Sequence, residues 1–400
     1  MSAPIRVAVI SEPGMAGVKT HVVDILRNID LSGIQIEYYY SLRRSDAGFL
    51  VDLKAIEARG IRCIEVPMAV ELRVGDDLRA FLELRRHLKQ FRPQVLHLHS
   101  SKASGLGRLL SLFLRPKPAI VYTPNAMACY RSKVYLGLER MLGYLTDVLV
   151  AVSASEKRDF VQWNIPRAER AVQVTVGVRE VVVPEATFTP DTWTIGACGR
   201  ICYQKNALLF FRTALSMIAC DASLRFRWIG EFADDDEARA VRVLLASAGN
   251  PKEIEITGWV ADPHREMASL NTFCMFSRYE SFGYVTADAM LLNVPVVALP
   301  STGTMDLVLD GTTGLITSDD PSRVAADLLR VKADSALRER LMAQAREFIA
   351  RVHTVDAMVA DMEQIYLSAA ECRAPRDSRV EESAAAVDVA KLENSYRGSD

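Results

Sequence analysis

Residues 5–29 have the sequence IRVAVISEPGMAGVKTHVVDILRNI, and this stretch decides the fold. The apolar run 5–10 has the length of a buried strand, and the segment that begins at residue 20 has the spacing of a helix. Gly14 and Gly17 occupy the turn between them. A short buried strand followed by a helix is the unit of parallel sheets with right-handed crossovers.

The same unit repeats along the chain and then begins again. The first series of predicted strands lies at 5–10, 34–40, 95–100, 119–123 and 148–153. After a link marked by Pro184 and Pro190, the second series lies at 194–200, 224–230, 254–260, 272–277, 295–300 and 314–317. We therefore predict an α/β architecture of two Rossmann-like halves.

The domain boundaries follow from this repetition. We predict an N-terminal domain at 1–185, a C-terminal domain at 186–354 and a further helix at 355–372. The segment 373–400 is charged, rich in alanine and poor in aromatic residues, which predicts disorder. The chain has 400 residues, half of them apolar, so it is long enough for two hydrophobic cores.

The composition limits the class of protein. No run of 18 or more apolar residues occurs, and the first residues lack the layout of an export signal, so we expect a cytoplasmic location. The seven cysteines are scattered, which is typical of reduced thiols. Cys198 and Cys202 are a close pair, but no further ligand lies near them in sequence, so we predict structural thiols and no metal site.

The net charge of −2 conceals an asymmetry. Bases outnumber acids in residues 1–180, and the reverse holds in residues 181–400. No acidic residue lies between Glu83 and Glu139. The bases of that span are Arg85, Arg86, Lys89, Arg92, Lys102, Arg108, Arg115, Lys117, Arg131 and Lys133. Such a span is either a solvated surface or one that attracts the phosphates of a membrane, a lipid-linked substrate or a nucleic acid; composition leaves both open.

Open parallel sheets bind ligands at the carboxyl ends of their strands, so the loops after the strands are candidate sites. In the first loop, Gly14 and Gly17 precede a helix whose free amides can face an anion. The third glycine of a dinucleotide fingerprint is missing, so a turn is favoured over an NAD site.

A histidine pair marks a second strand end. His97 and His99 alternate along one strand and therefore point to the same side. We interpret His97 as the more buried of the two and His99 as nearer to a cleft. Ser100, Ser101 and Lys102, which follow directly, are candidate donors to a substrate.

A third loop, GRICYQKN, carries two cations. Arg200 and Lys205 follow a predicted strand and precede a helix. A forked donor and a point charge in one loop suit a diphosphate, and a solvated loop is the alternative. Gly303 and Thr304, at a later strand end, place small residues opposite the same predicted phosphate.

The stretch SRYESFGYVTADAM contains two carboxylates around a glycine. Glu280 lies in the loop after a strand, and Gly283 precedes a helix whose first amides, near Tyr284 and Val285, can bind an anion. Asp288 lies one turn further along that helix. We predict that the two acids bind one phosphorylated sugar. The alternatives are that Glu280 stabilises the helix dipole while Asp288 is solvated, or that the two carboxylates hydrolyse a glycoside.

Taken together, these motifs resemble a GT-B retaining glycosyltransferase of family 4, of the type that builds bacterial surface polysaccharides. The resemblance covers residues 5–370 and is most specific across 196–316, where WIGE, ITGWV and TGTMDLVLDGTTGLI follow the family's order. It implies the GT-B fold, in which two Rossmann-like domains face a cleft and the C-terminal helix crosses back to the N-terminal domain. The N-terminal domain would bind the acceptor and the C-terminal domain the nucleotide sugar.

The resemblance also assigns roles to residues of the C-terminal domain. Arg200 and Lys205 match the cations that bind the donor diphosphate and stabilise the leaving nucleotide in place of a metal ion. Glu280 matches the first acid of the E-x7-E motif, which binds hydroxyls of the transferred sugar. Asp288 matches the second acid, which binds the nucleotide ribose.

Two further matches and three departures complete the resemblance. Gly17 matches the glycine of the first loop, and the amides after Gly303 match a loop that approaches the phosphates. Asp288 stands where the family usually has glutamate. Asn125 stands where many members have a histidine that reaches the donor sugar, and Asn293 stands where glycine is commoner.

The resemblance therefore implies transfer of a sugar from a nucleoside diphosphate sugar to a glycan hydroxyl, with retention and with no cofactor, metal ion or nucleic acid. The acid-free span 84–138 then predicts contact with an anionic membrane surface and a polyprenyl-diphosphate-linked acceptor at the inner face of the membrane. A sugar-nucleotide epimerase and a non-catalytic sugar-nucleotide-binding partner are the alternatives. The sequence leaves the base, the sugar and the acceptor open.

Overall fold

The computed structural model describes residues 3–69, 73–130, 132–182 and 191–372. Two parallel sheets, one in each half, carry the helices between their strands. This confirms the predicted α/β architecture. The link prolines Pro184 and Pro190 and the predicted disordered tail at 373–400 lie outside the described residues.

The first sheet has, within the described residues, seven parallel strands in the order β3-β2-β1-β4-β5-β6-β7. Its strands are β1 (Ile5–Ser11), β2 (Ile34–Tyr40), β3 (Arg62–Glu65), β4 (Val95–His99), β5 (Ala119–Thr123), β6 (Val148–Ala151) and β7 (Val172–Gln173). Its helices are α1 (Ala16–Asn28), α2 (Phe49–Glu57), α3 (Val74–Phe91), α4 (Ser100–Ser111), α5 (Lys133–Gly143) and α6 (Ala154–Gln162). The strand order reverses between β1 and β4, which is where such sheets bind ligands.

The second sheet has six parallel strands in the described part of the chain, in the order β10-β9-β8-β11-β12-β13. Its strands are β8 (Trp193–Cys198), β9 (Leu224–Ile229), β10 (Ile254–Ile256), β11 (Thr272–Met275), β12 (Val296–Ala298) and β13 (Leu315–Ile316). Its helices are α7 (Ala207–Ile218), α8 (Asp236–Ser247), α9 (Pro263–Ala268), α10 (Tyr284–Leu291), α11 (Thr304–Leu307), α12 (Pro321–Ala333) and α13 (Ser335–Val352). Here the order reverses between β8 and β11.

The last helix, α14 (Val355–Cys372), returns to the first sheet. Met358, Met362 and Tyr366 are fully buried and join the core that also contains α1 and α2. The Tyr366 hydroxyl lies 2.7 Å from His97 Nδ1 on β4. The predicted crossing of the C-terminal helix to the N-terminal domain is therefore confirmed, and the fold is that expected of GT-B proteins.

The sequence patterns left β3, α3 and α5 unassigned. Strand β3 is only four residues long and has half-exposed or exposed side chains throughout, so it lacks the apolar run of a buried strand. Helices α3, α4 and α6 contribute to one core on the face of the first sheet opposite α1. Among the described residues, no helix combines the length and the apolar character that crossing a membrane requires.

Candidate active site

The reversal between β8 and β11 brings together two loops that are distant in sequence. The loop after β8 carries Arg200 and Lys205, and the loop after β11 carries Glu280. Backbone and side-chain bonds join the loops, since the amide of Arg278 donates to the carbonyl of Gln204 at 2.9 Å. The amide side chain of Gln204 in turn donates to the carbonyl of residue 279 at 3.3 Å. The predicted cations and the first predicted acid therefore share one site.

Lys205 and Glu280 form an ion pair in this site. Lys205 Nζ lies 2.8 Å from Glu280 Oε1, and both side chains are largely buried, with 17% and 13% of their surfaces exposed. Burial by itself would lower the pKa of Lys205, but the adjacent carboxylate outweighs burial and raises that pKa above its ordinary value. Lys205 therefore stays a cation beside an acid that can also accept sugar hydroxyls.

The stem of Lys205 passes over Gly199, which explains the glycine there. Gly199 has a φ of 130°, and a Cβ at this position would lie 2.8 Å from Lys205 Cε. Only glycine combines that backbone conformation with such a close approach. Arg200, the next residue, is exposed in the same loop. The loop thus directs one cation into the site and leaves the other at its mouth.

The helix predicted after Gly283 begins where expected. Helix α10 starts at Tyr284, and Gly283 caps it in the left-handed conformation with a φ of 95°. The first amides of a helix have no carbonyl partner within it, so the amides at Tyr284 and Val285 are available to an anion. This arrangement is compatible with the predicted phosphate contact, whose ligand role stays a prediction.

Asp288 has a partner that sequence patterns did not reveal. His264 on α9 places its Nε2 3.4 Å from Asp288 Oδ2, and 39% of the His264 side chain is exposed against 19% of Asp288. The hydrogen bond to Asp288 raises the pKa of His264 despite burial. His264 follows Asp262 and Pro263, which cap and start α9. The residues Asp262 and Pro263 could have predicted the start of α9 from the sequence. They could not have predicted the contact between His264 and Asp288.

The first sheet contributes the opposite side of the cleft. Gly17 lies at the start of α1, and a Cβ added there would be 3.1 Å from the Tyr284 ring. The structure thus brings two predicted substrate residues, one from each half, against each other. His99 and Asn125 also meet, because the Asn125 amide nitrogen lies 3.2 Å from His99 Nδ1.

One detail of the histidine prediction is wrong. His97 and His99 are equally buried, with 0% of each exposed, so His97 is not the more buried of the two. Burial lowers the pKa of both side chains well below the ordinary value, which keeps them neutral. Lys102, a candidate donor, pairs with Asp77 at 2.7 Å, and only 8% of its side chain is exposed.

Gly303 and Thr304 lie where the two halves touch. The Gly303 amide donates to Ser155 Oγ on α6 at 2.7 Å. Thr304 is fully buried, and its Oγ1 accepts from Ser301 Oγ at 3.0 Å. Their predicted contact with donor phosphates stays a prediction.

Further bonds across the cleft surround Gly303. Asp306 accepts from the amide of Ser155 at 3.1 Å and from its hydroxyl. Thr302 Oγ1 donates to Asp159 Oδ2 at 2.7 Å. The rings of Tyr130 and Tyr279 stack with their centroids 4.7 Å apart and their planes 6° from parallel. We call the contacts of Ser155, Asp159, Thr302, Gly303 and Asp306 the interdomain latch.

Cys198 and Cys202 lie near the Lys205 loop as free thiols. Burial raises the pKa of Cys198 to about 11, so it stays protonated at neutral pH. Among the described residues, no group of three or more His, Cys, Asp or Glu is arranged to bind a metal ion.

Comparison with known proteins identifies the family. Residues 15–178 match the model described as Glycosyltransferase Family 4, and residues 192–334 match the model described as Glycosyl transferases group 1. The chain belongs to the GT-B glycosyltransferases. The two matches together cover most of both sheets of this glycosyltransferase, and they confirm the predicted family and the prediction of a sugar-transferring enzyme.

Two relatives with assigned names are distant in sequence, and the first of the two matches covers most of the glycosyltransferase. It is 21% identical over 374 residues to the capsular polysaccharide biosynthesis glycosyltransferase CapM of Staphylococcus aureus, a match that covers 86% of this chain and 96% of CapM. Over 172 residues it is 27% identical to the lipopolysaccharide core biosynthesis glycosyltransferase LpsE of Rhizobium meliloti, covering 42% of this chain and 48% of LpsE.

Solved structures agree on the fold. Anabaena Alr3699/HepE in complex with UDP and glucose superimposes with a TM-score of 0.76 at 16% identity, covering 91% of this glycosyltransferase and 100% of HepE. WaaG, a glycosyltransferase involved in lipopolysaccharide biosynthesis, gives a TM-score of 0.65 at 15% identity and covers 92% of this chain and 99% of WaaG. At such low sequence identities the structural similarity supports the fold only.

Proposed function

We propose that this glycosyltransferase moves a sugar from a nucleoside diphosphate sugar to a hydroxyl of a glycan, with retention at the anomeric carbon. The observation that carries the proposal is the Lys205–Glu280 pair, which lies with Arg200 at the reversal of the second sheet. A buried cation beside a buried acid is suited to a ligand that has a phosphate at one end and hydroxyls at the other.

The mechanism assigns one task to each group. Lys205 and Arg200 stabilise the charge that develops on the departing diphosphate, as electrostatic catalysis requires. Glu280 accepts hydrogen bonds from the sugar and fixes its anomeric carbon against the acceptor. The bond from that carbon to the phosphate oxygen breaks, the bond to the acceptor oxygen forms on the same face, and the acceptor proton passes to the phosphate oxygen. No metal ion is needed for these steps.

Names of relatives support a role in polysaccharide synthesis. CapM is a capsular polysaccharide enzyme and LpsE a lipopolysaccharide core enzyme, and both are glycosyltransferases by name. HepE, which shares the fold, has been solved with UDP and glucose. These relatives favour a uridine nucleotide sugar as the first donor to test and a surface glycan as the acceptor.

We further propose that the acceptor is linked to a polyprenyl diphosphate and is met at an anionic membrane surface. Exposed bases of the acid-free span support this: Arg86, Lys89, Arg92, Arg115 and Lys133 are all exposed. Lys102 and Arg108 do not belong to that surface, since they pair with Asp77 and Glu139. Arg131 lies outside the described residues.

The donor is tested by a thermal-shift screen of UDP, GDP, ADP and their sugars against the wild-type chain. Release of nucleotide and formation of glycan are then compared between wild type and Glu280→Gln. We expect turnover to fall by about 10²-fold or more while the donor still binds, because the substitution removes positioning and not the phosphate contacts. Glu255→Gln, which changes an exposed acid on β10, is the matched control.

Four outcomes would contradict the proposal. A Glu280→Gln chain that transfers sugar at the wild-type rate removes Glu280 from the mechanism. Binding of nucleotide sugars by wild type without any glycan product favours the non-catalytic partner. Conversion of the nucleotide sugar into an isomer in the absence of acceptor favours the epimerase. Inversion at the anomeric carbon of the product, read by NMR, would contradict retention.

A further inference from the structure

Helices α3, α4 and α5 expose an unusual amount of apolar surface. More than half of the exposed large apolar side chains in the described part of the chain belong to residues 74–144. These side chains are Val74, Leu78, Leu82, Leu109, Leu112, Phe113, Val134, Tyr135, Leu138, Met141 and Tyr144. We call them the apolar stripes. The sequence analysis identified the bases of this region but did not predict its exposed apolar residues.

On α3 the apolar residues form two separate rows. Ala80, Leu84 and Leu88 recur every four residues and are fully buried in the core. Val74, Leu78 and Leu82 also recur every four residues, but they are 87%, 57% and 54% exposed. Because a helix advances 100° per residue, the second row lies on a different face and has no part in that core.

The pattern recurs on α5. Val134, Leu138 and Met141 follow the spacing of one helix face and are 70%, 38% and 61% exposed. The residues of α5 that are buried, Glu139 and Leu142, point to another face. The exposure of such an apolar row to water is energetically unfavourable. The row therefore indicates a surface that binds a partner.

The two rows belong to one surface. The core beneath α3, α4 and α6 also receives Leu136 of α5, so these helices cover the same face of the first sheet. Phe81 of α3 and Phe113, which follows α4, meet edge to face with their ring centroids 5.9 Å apart. The apolar stripes therefore extend over neighbouring helices of a single layer.

Exposed bases border this surface, and most of its acids are paired with bases. Lys89 continues the exposed row of α3, Lys133 begins α5, and both are exposed. Asp76 and Asp77, at the start of α3, pair with Arg43 at 2.6 Å and with Lys102 at 2.7 Å.

Glu139, the acid of α5, is buried against Arg108 at 2.7 Å. The surface thus combines apolar side chains with an excess of positive charge, which is the composition of helices that lie in the interface of an anionic bilayer.

From this arrangement we propose that the apolar stripes insert into the surface of an anionic phospholipid bilayer while the bordering bases contact its phosphates. The proposal rests on the proposed function, because it states how the enzyme meets a lipid-linked acceptor. A second copy of this chain fits the surface less well. A twofold interface would place the bases of one copy against the same bases of the other, and like charges oppose such contact.

The experiment is flotation of the full chain with vesicles of phosphatidylcholine, with and without added phosphatidylglycerol. The stripe variant carries Leu78→Gln, Leu82→Gln, Leu138→Gln and Met141→Gln, and the border variant carries Arg86→Gln, Lys89→Gln and Lys133→Gln. We expect wild type to bind the anionic vesicles. The stripe variant should lose about tenfold or more of that binding, because withdrawing even one leucine from a bilayer is worth that much.

High salt distinguishes the contribution of the bases to vesicle binding from the contribution of the apolar stripes. In about 1 M salt, where the Debye length is about 3 Å, wild type should lose the charge contribution and keep residual binding that the stripe variant lacks. The border variant should bind anionic and neutral vesicles equally. The control variant, Val243→Gln with Leu329→Gln, changes exposed apolar residues of α8 and α12 and should float like wild type.

Two results would overturn the inference. One is a stripe variant that floats as well as wild type. The other is a wild-type dimer in light scattering that the stripe variant converts to monomer, which would assign the surface to a second copy. UDP-glucose thermal shifts are measured on the same samples. If the stripe variant loses vesicle binding but keeps the UDP-glucose thermal shift of wild type, the membrane surface is separate from the donor site. If wild type shows no thermal shift with UDP-glucose, that result counts against the proposed donor and not against the membrane surface.

Discussion

Lys205 and Glu280 are separated by 75 positions in the sequence yet lie 2.8 Å apart, and this pair is the chemical centre of the candidate site. The two acids of the stretch SRYESFGYVTADAM have different environments. Glu280 pairs with the buried Lys205, whereas Asp288 contacts His264 near the surface. The two acids therefore have different partners in the cleft, and their interpretation as a sugar contact and a ribose contact stays a prediction.

The His264–Asp288 contact should make stability depend on pH. The contact raises the pKa of His264 above 6.5. Its contribution is therefore complete below about pH 6.5 and is lost as the pH rises through the raised pKa of the folded chain. We expect His264→Gln to lower the melting temperature by about 1–3 °C in acid and to leave it unchanged in alkaline solution, since a partly exposed pair contributes little.

The matched control for that scan is His87→Gln. Burial lowers the pKa of His87, so any effect of this substitution should follow the opposite pH dependence. A His264→Gln deficit that is equal at every pH would mean that packing, and not the charge of His264, is responsible.

Among the elements, α14 connects the end of the described chain to the centre of the first sheet. Tyr366 reaches His97 on β4, and His97 Nε2 lies 2.9 Å from Thr123 Oγ1 on β5. His97 therefore bridges α14 and two neighbouring strands within the core. This accounts for a buried histidine that the site itself does not use.

Tyr366→Phe should destabilise the protein through that bridge. The substitution leaves His97 Nδ1 buried without its partner, and we expect a loss of about 1–3 kcal/mol in the free energy of unfolding. Chemical denaturation measures this loss. Tyr144→Phe, which removes an exposed hydroxyl, should change the unfolding free energy by less than about 0.5 kcal/mol. Equal stability of Tyr366→Phe and wild type would show that the hydrogen bond between Tyr366 and His97 does not stabilise the packing of α14.

For the whole molecule, the interdomain latch holds the two halves in contact beside Glu280. Ser155 and Asp306 bond to each other, and Gly303 bonds to Ser155. Enzyme domains often close over a substrate, and an opening of the two halves that admits a donor would break these contacts.

Asp306→Ala should weaken the contact between the halves. A hydrogen bond to a charged group contributes about 1.5–3 kcal/mol, so its loss should move an open–closed equilibrium by about tenfold or more. We expect a larger radius of gyration in small-angle X-ray scattering without nucleotide. Asp319→Ala changes an exposed acid after β13 and should leave the radius unchanged. An Asp306→Ala chain as compact as wild type would indicate that other contacts set the closed arrangement.

Local sequence patterns were sufficient to predict the alternation of strand and helix, the two sheets and the start of α10 at Tyr284. These depend on local periodicity and on glycine, both of which a single chain displays. The positions of Arg200, Lys205 and Glu280 in loops after strands were also predictable, and such loops are where parallel sheets bind ligands. Their roles in binding a donor stay predictions.

The contacts between distant residues follow from the tertiary structure and could not be predicted from local patterns. The pairing of Lys205 with Glu280, the contact of His264 with Asp288 and the latch at Ser155 all follow from strand order and domain packing, which local patterns do not encode. The two apolar rows of α3 give the same lesson. Residues such as Leu82 and Leu84 are chemically equivalent in sequence, and the sheet beneath the helix determines which of them is buried and which is left for a partner.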